Sequence, residues 1–254
     1  MTALPIVAIC GLILSILLLV DIGYLAGSRR MRLRPHRKIS DPTILASVFG
    51  LMALLITFTF YGAGERFDIR RNLIVQEANA IGTAYLRLDL LPPETQPELR
   101  EDFRDYIRSR LAVYEQIPDV EAMQNALGRS STVQLKIWKG ATEALKNTGP
   151  AEKALLLASL NEMIDITTTR TVALITHPPL AVYIMLAIAV ITSSIIAGYA
   201  MATSQVRDWV ATVTFSLILG SALYVILDYE FPRIGFIRID PVDQVLVDTL
   251  KKMK

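Results

Sequence analysis

The chain has one cysteine, Cys10, and only two histidines, His36 and His177, among its 254 residues. A single thiol excludes an intrachain disulfide and a CxxC pair, and two isolated imidazoles make a poor ligand supply, so neither metal nor cofactor is expected. Net charge is equally scarce. Lys+Arg 26 against Asp+Glu 24 leaves a formal charge of +2, which creates no basic field of the kind that nucleic acid requires. None of HExxH, GxSxG, a Walker loop or a carboxylate pair with a nearby histidine occurs, so no catalytic residue is assigned and a membrane enzyme is the least supported reading. No stretch alternates with period two for long enough to predict a strand.

What the chain does have is apolar length. Hydrophobic residues make up 52% and charged residues 20%, and the mean hydropathy is +0.42. A water-soluble domain of this size would struggle to hide that excess. About 20 helical residues cross a bilayer. Runs of that order lie at 4–27, 43–64, 180–200 and 209–227, and predict an all-α integral membrane protein with four spans. The first run lacks a basic start and is followed by Ser28, Arg29 and Arg30, which reads as a retained anchor and not as a signal peptide.

The spans divide the chain into a hairpin with a basic loop (1–64), an inserted helical domain (65–177), a second hairpin (178–230) and a C-terminal tail (231–254). The loop Ser28–Asp41 holds Arg29, Arg30, Arg32, Arg34, Arg37 and Lys38, and the segment before the first span holds no basic residue. By the positive-inside rule this loop is expected in the cytoplasm, with both termini and the 65–177 domain on the external, periplasmic side of the cell membrane. The inserted segment carries 14 basic and 16 acidic residues, near neutrality, as a folded domain would.

Within it, nothing between Tyr61 and Leu91 stops a helix except Gly62 and Gly64, so the second span is expected to continue unbroken to Pro92-Pro93. Phe67, Ile74, Ala78, Ile81, Tyr85 and Leu88 form its packing seam. Thr95 with Glu98 three residues later has the pattern of a capping box for a helix ending near Ile117, with Leu99, Phe103, Ile107, Leu111 and Tyr114 on one side. Pro118-Asp119 starts a third helix that is weakest at Gly128–Thr132 and ends before Gly149-Pro150. A fourth runs over Ala151–Thr176.

The second span also carries a polar stripe. Ser47, Gly50, Leu54, Thr57, Tyr61, Gly64, Asp68, Asn72, Gln76, Asn79 and Thr83 follow at steps of three or four and share one helical face. At 1.5 Å per residue the stripe is about 54 Å long. In a homo-oligomer with this helix innermost, it would line a pore for inorganic ions. Glu65 and Asp68 would attract cations, and Leu54, Phe58 and Phe60 would form an apolar constriction. Each residue also has a plainer explanation. Small and hydroxylated residues let membrane helices pack closely, aromatics mark the headgroup belt, and the later half can be the wet side of an amphipathic helix. Asp21 is the only formal charge well inside an apolar run, and is expected to pair with an arginine of the adjoining loop. His177, before two prolines, reads as a helix-end residue, and His36 as solvated.

The segment Glu65 to Pro92 contains Gln76-Glu77-Ala78-Asn79-Ala80-Ile81-Gly82-Thr83 and Arg87, with Leu90-Leu91-Pro92. A second segment after the last span contains Asp228, Pro232, Gly235 and Ile237-Arg238. On these motifs, which extend over nearly the whole chain, the sequence resembles the bestrophin-like domain family of bacterial four-span membrane proteins. The resemblance implies kinship with oligomeric ion channels whose second membrane helix lines the pore. It also implies a cytosolic large domain, opposite to the side indicated by the basic loop. Asp228, Glu230 and Asp240 are too scattered in sequence to match the calcium site of such channels.

The leading expectation is thus a non-enzymatic oligomeric channel lined by the second span, possible partners being the bilayer, ions and further copies of the chain. The alternative is a membrane-anchored sensor or interaction protein whose helical domain binds a ligand or partner.

Overall fold

The computed structural model describes residues 3–33, 41–116, 119–204 and 207–253. Arg34, His36, Arg37 and Lys38 of the basic loop, and Ile117 and Pro118, lie outside the described residues. Among the described residues eight α-helices follow in order: α1 (Ala3–Leu33), α2 (Pro42–Leu86), α3 (Gln96–Glu115), α4 (Val120–Ala144), α5 (Pro150–Ile175), α6 (Leu180–Met201), α7 (Trp209–Glu230) and α8 (Gln244–Lys252). No strand occurs among the described residues. Among the described residues, four stretches are long and apolar enough to cross a membrane, those of α1, α2, α6 and α7.

The helices sort into two compact units, one of residues 1–67 and 177–237, the other of 68–176 and 238–254. In the first, α1 packs against α6 and α7. Glycine makes the approach possible. A Cβ on Gly23 would fall on the backbone carbonyl of Ile195, one on Gly198 on that of Val20, and one on Gly220 would stand 2.7 Å from the Ile13 side chain. Small residues let membrane helices gain van der Waals contact where no hydrophobic drive exists between them. Ile16, Val20, Met52, Val190, Leu219 and Leu223 fill the core. Helix α2 joins through Met52, whose sulfur lies 2.7 Å from the buried Ser193 hydroxyl, and through the edge contact of Phe49 with Phe215.

Asp21 pairs with Arg207, from the α6–α7 connection, and not with the adjoining loop. The Arg207 guanidinium also lies 3.5 Å from the centre of the Trp209 ring. Of the loop's arginines, Arg30 reaches across to Tyr199, its Nη1 donating to the phenol oxygen at 2.6 Å.

In the second unit, the expected seam of α2 is buried at Ile74, Ala78, Ile81, Tyr85 and Leu88. Phe103 of α3 meets the edge of Tyr85 with ring centres 5.9 Å apart, and Leu99 and Ile107 of α3 and Leu156, Leu160 and Met163 of α5 are also buried in this unit. Helix α2 gives way to a short 3-10 turn, Arg87–Leu90, before the two prolines. The capping box at Thr95 does not form. Thr95 is itself in the helical region with no side-chain cap, and its hydroxyl donates back to the Pro92 carbonyl at 2.9 Å. Asp119 does cap α4, accepting the Ala122 N–H at 3.0 Å. Helix α4 is continuous through Gly128–Thr132.

The interior of this unit is ionic as well as apolar. The Glu77 carboxylate, fully buried, accepts from Arg110 Nε at 2.5 Å and from Arg170 Nη1. Arg170 Nη2 continues to Asp243 at 3.0 Å, which ties the segment before α8 to the core. The Tyr114 ring lies 3.8 Å beneath the Arg170 guanidinium, and the Tyr114 hydroxyl accepts from Arg110 Nη2 at 2.5 Å. Two acids and two guanidiniums make the cluster neutral. Burial works against the charged form of Arg110, yet Tyr114, Glu77 and Tyr106 raise its pKa and hold it protonated.

Two outcomes follow from this packing. Gly198→Leu is expected to cost about 1–3 kcal/mol or more, because the clash is with backbone, whereas Gly50→Ala, with nothing within 4 Å of the new Cβ, is expected to be close to neutral. Thermal unfolding in detergent compares the two. Glu77→Gln leaves two guanidiniums without their shared carboxylate and is expected to destabilise by about 3–5 kcal/mol. An unchanged unfolding midpoint would show that the cluster is not stabilising in this way.

Candidate functional site

The stripe on α2 lies opposite the face that α2 buries. Ala63, Ile74, Ala78, Ile81 and Ala84 point inward. Ser47, Gly50, Leu54, Thr57, Tyr61, Asp68, Asn72, Gln76, Asn79 and Thr83 are all exposed, and Gly64 is half-buried. Tyr61 keeps 70% of its surface open.

Glycine again discriminates between uses. The glycines that bring α1 and α6 together have backbone where a Cβ would stand, but Gly50 and Gly64 have nothing within 4 Å. Within this chain these two are not packing residues. The hydroxyls of Ser47 and Thr57 donate to their own helix, to Thr43 O at 2.9 Å and Ala53 O at 2.8 Å. Their donor capacity is therefore used, while their oxygen lone pairs remain outward as acceptors.

The three constriction residues separate. Leu54 (50% exposed) and Phe58 (64%) stand one turn apart on the open side. Phe60 turns to the other side and meets the edge of Tyr229 with ring centres 5.7 Å apart. Leu54 and Phe58 are thus together, and Phe60 belongs to the packing of α2 on α7.

Beyond the span, Glu65 and Asp68 are exposed and make no ion pair among the described residues. The neighbouring cations behave differently. Arg66 turns to the closed side, with Nε 2.9 Å and Nη2 2.8 Å from Glu230 Oε2. The other oxygen of Glu230 lies 2.7 Å from His177 Nδ1, and the imidazole is stacked on Phe231 at 5.0 Å. His177 is therefore a helix-end residue held by a carboxylate. Arg70 is buried and donates to the carbonyls of Ala173 (3.0 Å) and Thr176 (2.8 Å) at the C-terminus of α5, where the helix dipole favours a cation. Nothing in the Glu65-Arg66-Phe67-Asp68 run distinguishes these fates. The one sequence signal is an acid, Glu230, at the very end of an apolar helix.

The acids near the end of α7 have structural uses. Asp228 is buried, and its Oδ2 accepts the N–H groups of Phe236 (3.0 Å) and Ile237 (2.9 Å). A Cβ at Gly235 would overlap this carboxylate, so Asp228 and Gly235 together fold the chain back after the last span. Asp240 pairs with Arg238 at 2.5 Å. No group of three or more His, Cys, Asp or Glu side chains suited to a metal occurs among the described residues.

Three comparisons bear on kinship. No curated protein matches the chain by sequence. Among solved structures, two single-substitution variants of a bacterial bestrophin homologue from Klebsiella pneumoniae are similar to it with TM-scores of 0.72 and 0.71. Identity is 15% in both; 96% of this chain is covered, with 98% and 99% of theirs. A structure described only as a membrane protein gives 0.69 at 15% identity, over 96% of this chain and 98% of that one. The bestrophin-like domain model matches residues 11–244. With that match over almost its full length and the same fold as a bestrophin homologue, the chain belongs to the bestrophin-like domain family.

Proposed function

We propose that the chain is one subunit of an oligomeric ion channel, with α2 innermost and its open face lining the pore. The observation that carries this reading is that the polar face of α2 is uncovered along the helix, with Gly50 and Gly64 facing open space. Beyond the span the amide and carboxylate groups of this face require water or polar partners, and within it the Ser47 and Thr57 oxygens keep acceptor capacity for a wet path. Around an axis, copies of this face enclose a wet path. Membership of the bestrophin-like family supports the same arrangement.

In this reading Leu54 and Phe58 narrow the path and Ser47 and Thr57 present hydroxyl oxygens to it. Glu65 and Asp68 give the mouth a negative charge and a preference for cations. The chain itself supplies no redox or hydrolytic chemistry to the process. Its contribution is a path, a constriction and a field.

Ion flux through purified protein in liposomes, against empty liposomes, tests the pore. Thr57→Trp is expected to reduce the flux severalfold by filling the lining. Asp68→Asn is expected to move the reversal potential in a KCl gradient toward zero, lowering cation preference by about twofold. Absence of flux across pH and calcium conditions would overturn the channel reading and leave the helical unit as a ligand- or partner-binding module.

The basic first loop orients the channel with residues 65–177 outside. Asn72→Cys in a Cys10→Ser background is expected to react with a membrane-impermeant thiol reagent in intact spheroplasts. Labelling only after lysis would reverse the orientation.

A further inference from the structure

Glu65 and Arg66 are neighbours on α2, and on an ordinary helix surface their charges would largely cancel in the field around them. Here they are separated. Glu65 stands exposed toward the open face, while Arg66 is drawn to the other side by Glu230, whose side chain is only 2% exposed. The bare Gly62 gives the guanidinium room to fold back along the helix, since the nearest atom to a Cβ there would be Arg66 Nη1 at 3.3 Å. Phe60 and Phe67 close on Tyr229 on either side of this pair, with ring centres at 5.7 and 5.3 Å.

We propose that Glu230 is a positioning residue for ion selectivity: by binding and neutralising Arg66 on the closed side of α2, it leaves the Glu65 carboxylate as the uncompensated charge on the open side. The proposal rests on the pore reading for its consequence, but the charge placement is a property of the subunit alone. Glu65, Arg66 and Glu230 together carry one net negative charge. Removing the charge of Glu230 leaves none, removing that of Arg66 leaves two, and removing both returns one. Selectivity is therefore set by a residue that touches no ion, through the Arg66–Glu230 bond, with His177 on the other oxygen of Glu230.

The test uses Glu230→Gln, Arg66→Gln and the double variant, each in a Cys10→Ser background, with two readouts. The first is the reversal potential of liposome-reconstituted protein in a KCl gradient. The second needs no conduction: Tyr61→Cys, one turn before Glu65 on the same face, is added and the ratio of its labelling rates by a cationic and an anionic methanethiosulfonate is measured.

Glu230→Gln is expected to lower that ratio about twofold, Arg66→Gln to raise it about twofold, and the double variant to return it to the parent value. Reversal potentials should follow the same order. Should Glu230→Gln fail to fold, Arg66→Gln and the double variant still decide, because the double variant buries a neutral pair and no orphaned ion. A double variant equal to Arg66→Gln would overturn the proposal, as would a Glu230→Gln protein that folds and keeps the parent ratio. Labelling ratios that follow the pattern while reversal potentials stay fixed would overturn the selectivity role. A parent protein that carries no ions at all fails the pore reading separately, with the labelling ratios still reporting the charge placement.

Discussion

A helix that crosses a bilayer must satisfy its backbone hydrogen bonds within itself, and α2 does so over 45 residues without a break. Its backbone is thereby settled, and everything specific to it lies in which side chains it presents and where. One face is committed to the chain's own core through Met52, Ala63, Ile74, Ile81 and Ala84. The other is committed to nothing in this chain, although it carries Ser47 and Thr57 inside the span and Asp68, Asn72 and Gln76 beyond it. An uncovered polar face on a helix otherwise anchored to its own chain calls for water or for another copy of itself. The channel reading supplies both.

The arrangement of the remaining helices is consistent with leaving α2 open. Helices α1 and α6 are in backbone contact across Gly23 and Gly198, and α1 and α7 meet at Gly220. These three form the tight part of the membrane unit. Helix α2 is attached more lightly, with Ile44, Leu51, Leu54 and Phe58 of its apolar run all exposed. Its fixed points are Met52 on Ser193, Phe49 on Phe215, Phe60 and Phe67 on Tyr229, and Arg66 on Glu230.

The four spans and the continuity of α2 were legible in the sequence because both depend on local properties, apolar run length and the absence of a breaker before Pro92-Pro93. The stripe was legible for the same reason, since helical period alone places Ser47 through Thr83 on one side. Partners that depend on tertiary approach were not legible. Asp21 has Arg29 close in sequence, yet it binds Arg207, 186 residues away, because close packing of α1 on α6 brings the α6–α7 connection alongside it. No sequence signal marks Glu77 as buried; Arg110 and Arg170 reach it there from two other helices. Thr95 had the spacing of a cap, but its backbone is already helical and not extended as a cap requires, and its hydroxyl donates back to the Pro92 carbonyl. Residues 238–254 carried no sequence sign that Asp243 and the fully buried Leu246 fasten them to the helical unit.

Arg66 raises the question of why a cation stands between Glu65 and Asp68 at all, when its absence would leave the local field more negative. The answer lies in attachment. An exposed ion pair contributes little, since solvent screens it and side-chain entropy opposes it. A pair whose carboxylate is withdrawn from water cannot be opened without leaving a buried charge, which is strongly unfavourable. Glu230 is withdrawn in this way, and His177 binds its second oxygen. Arg66 can therefore hold α2 to the end of α7 where the apolar contacts of α2 are sparse, and the same bond cancels its own charge. Fastening the helix and clearing the cation from its open face are one interaction. That economy explains how a lightly packed helix can stay fixed in place while Glu65 stands on its open side and Arg66 does not.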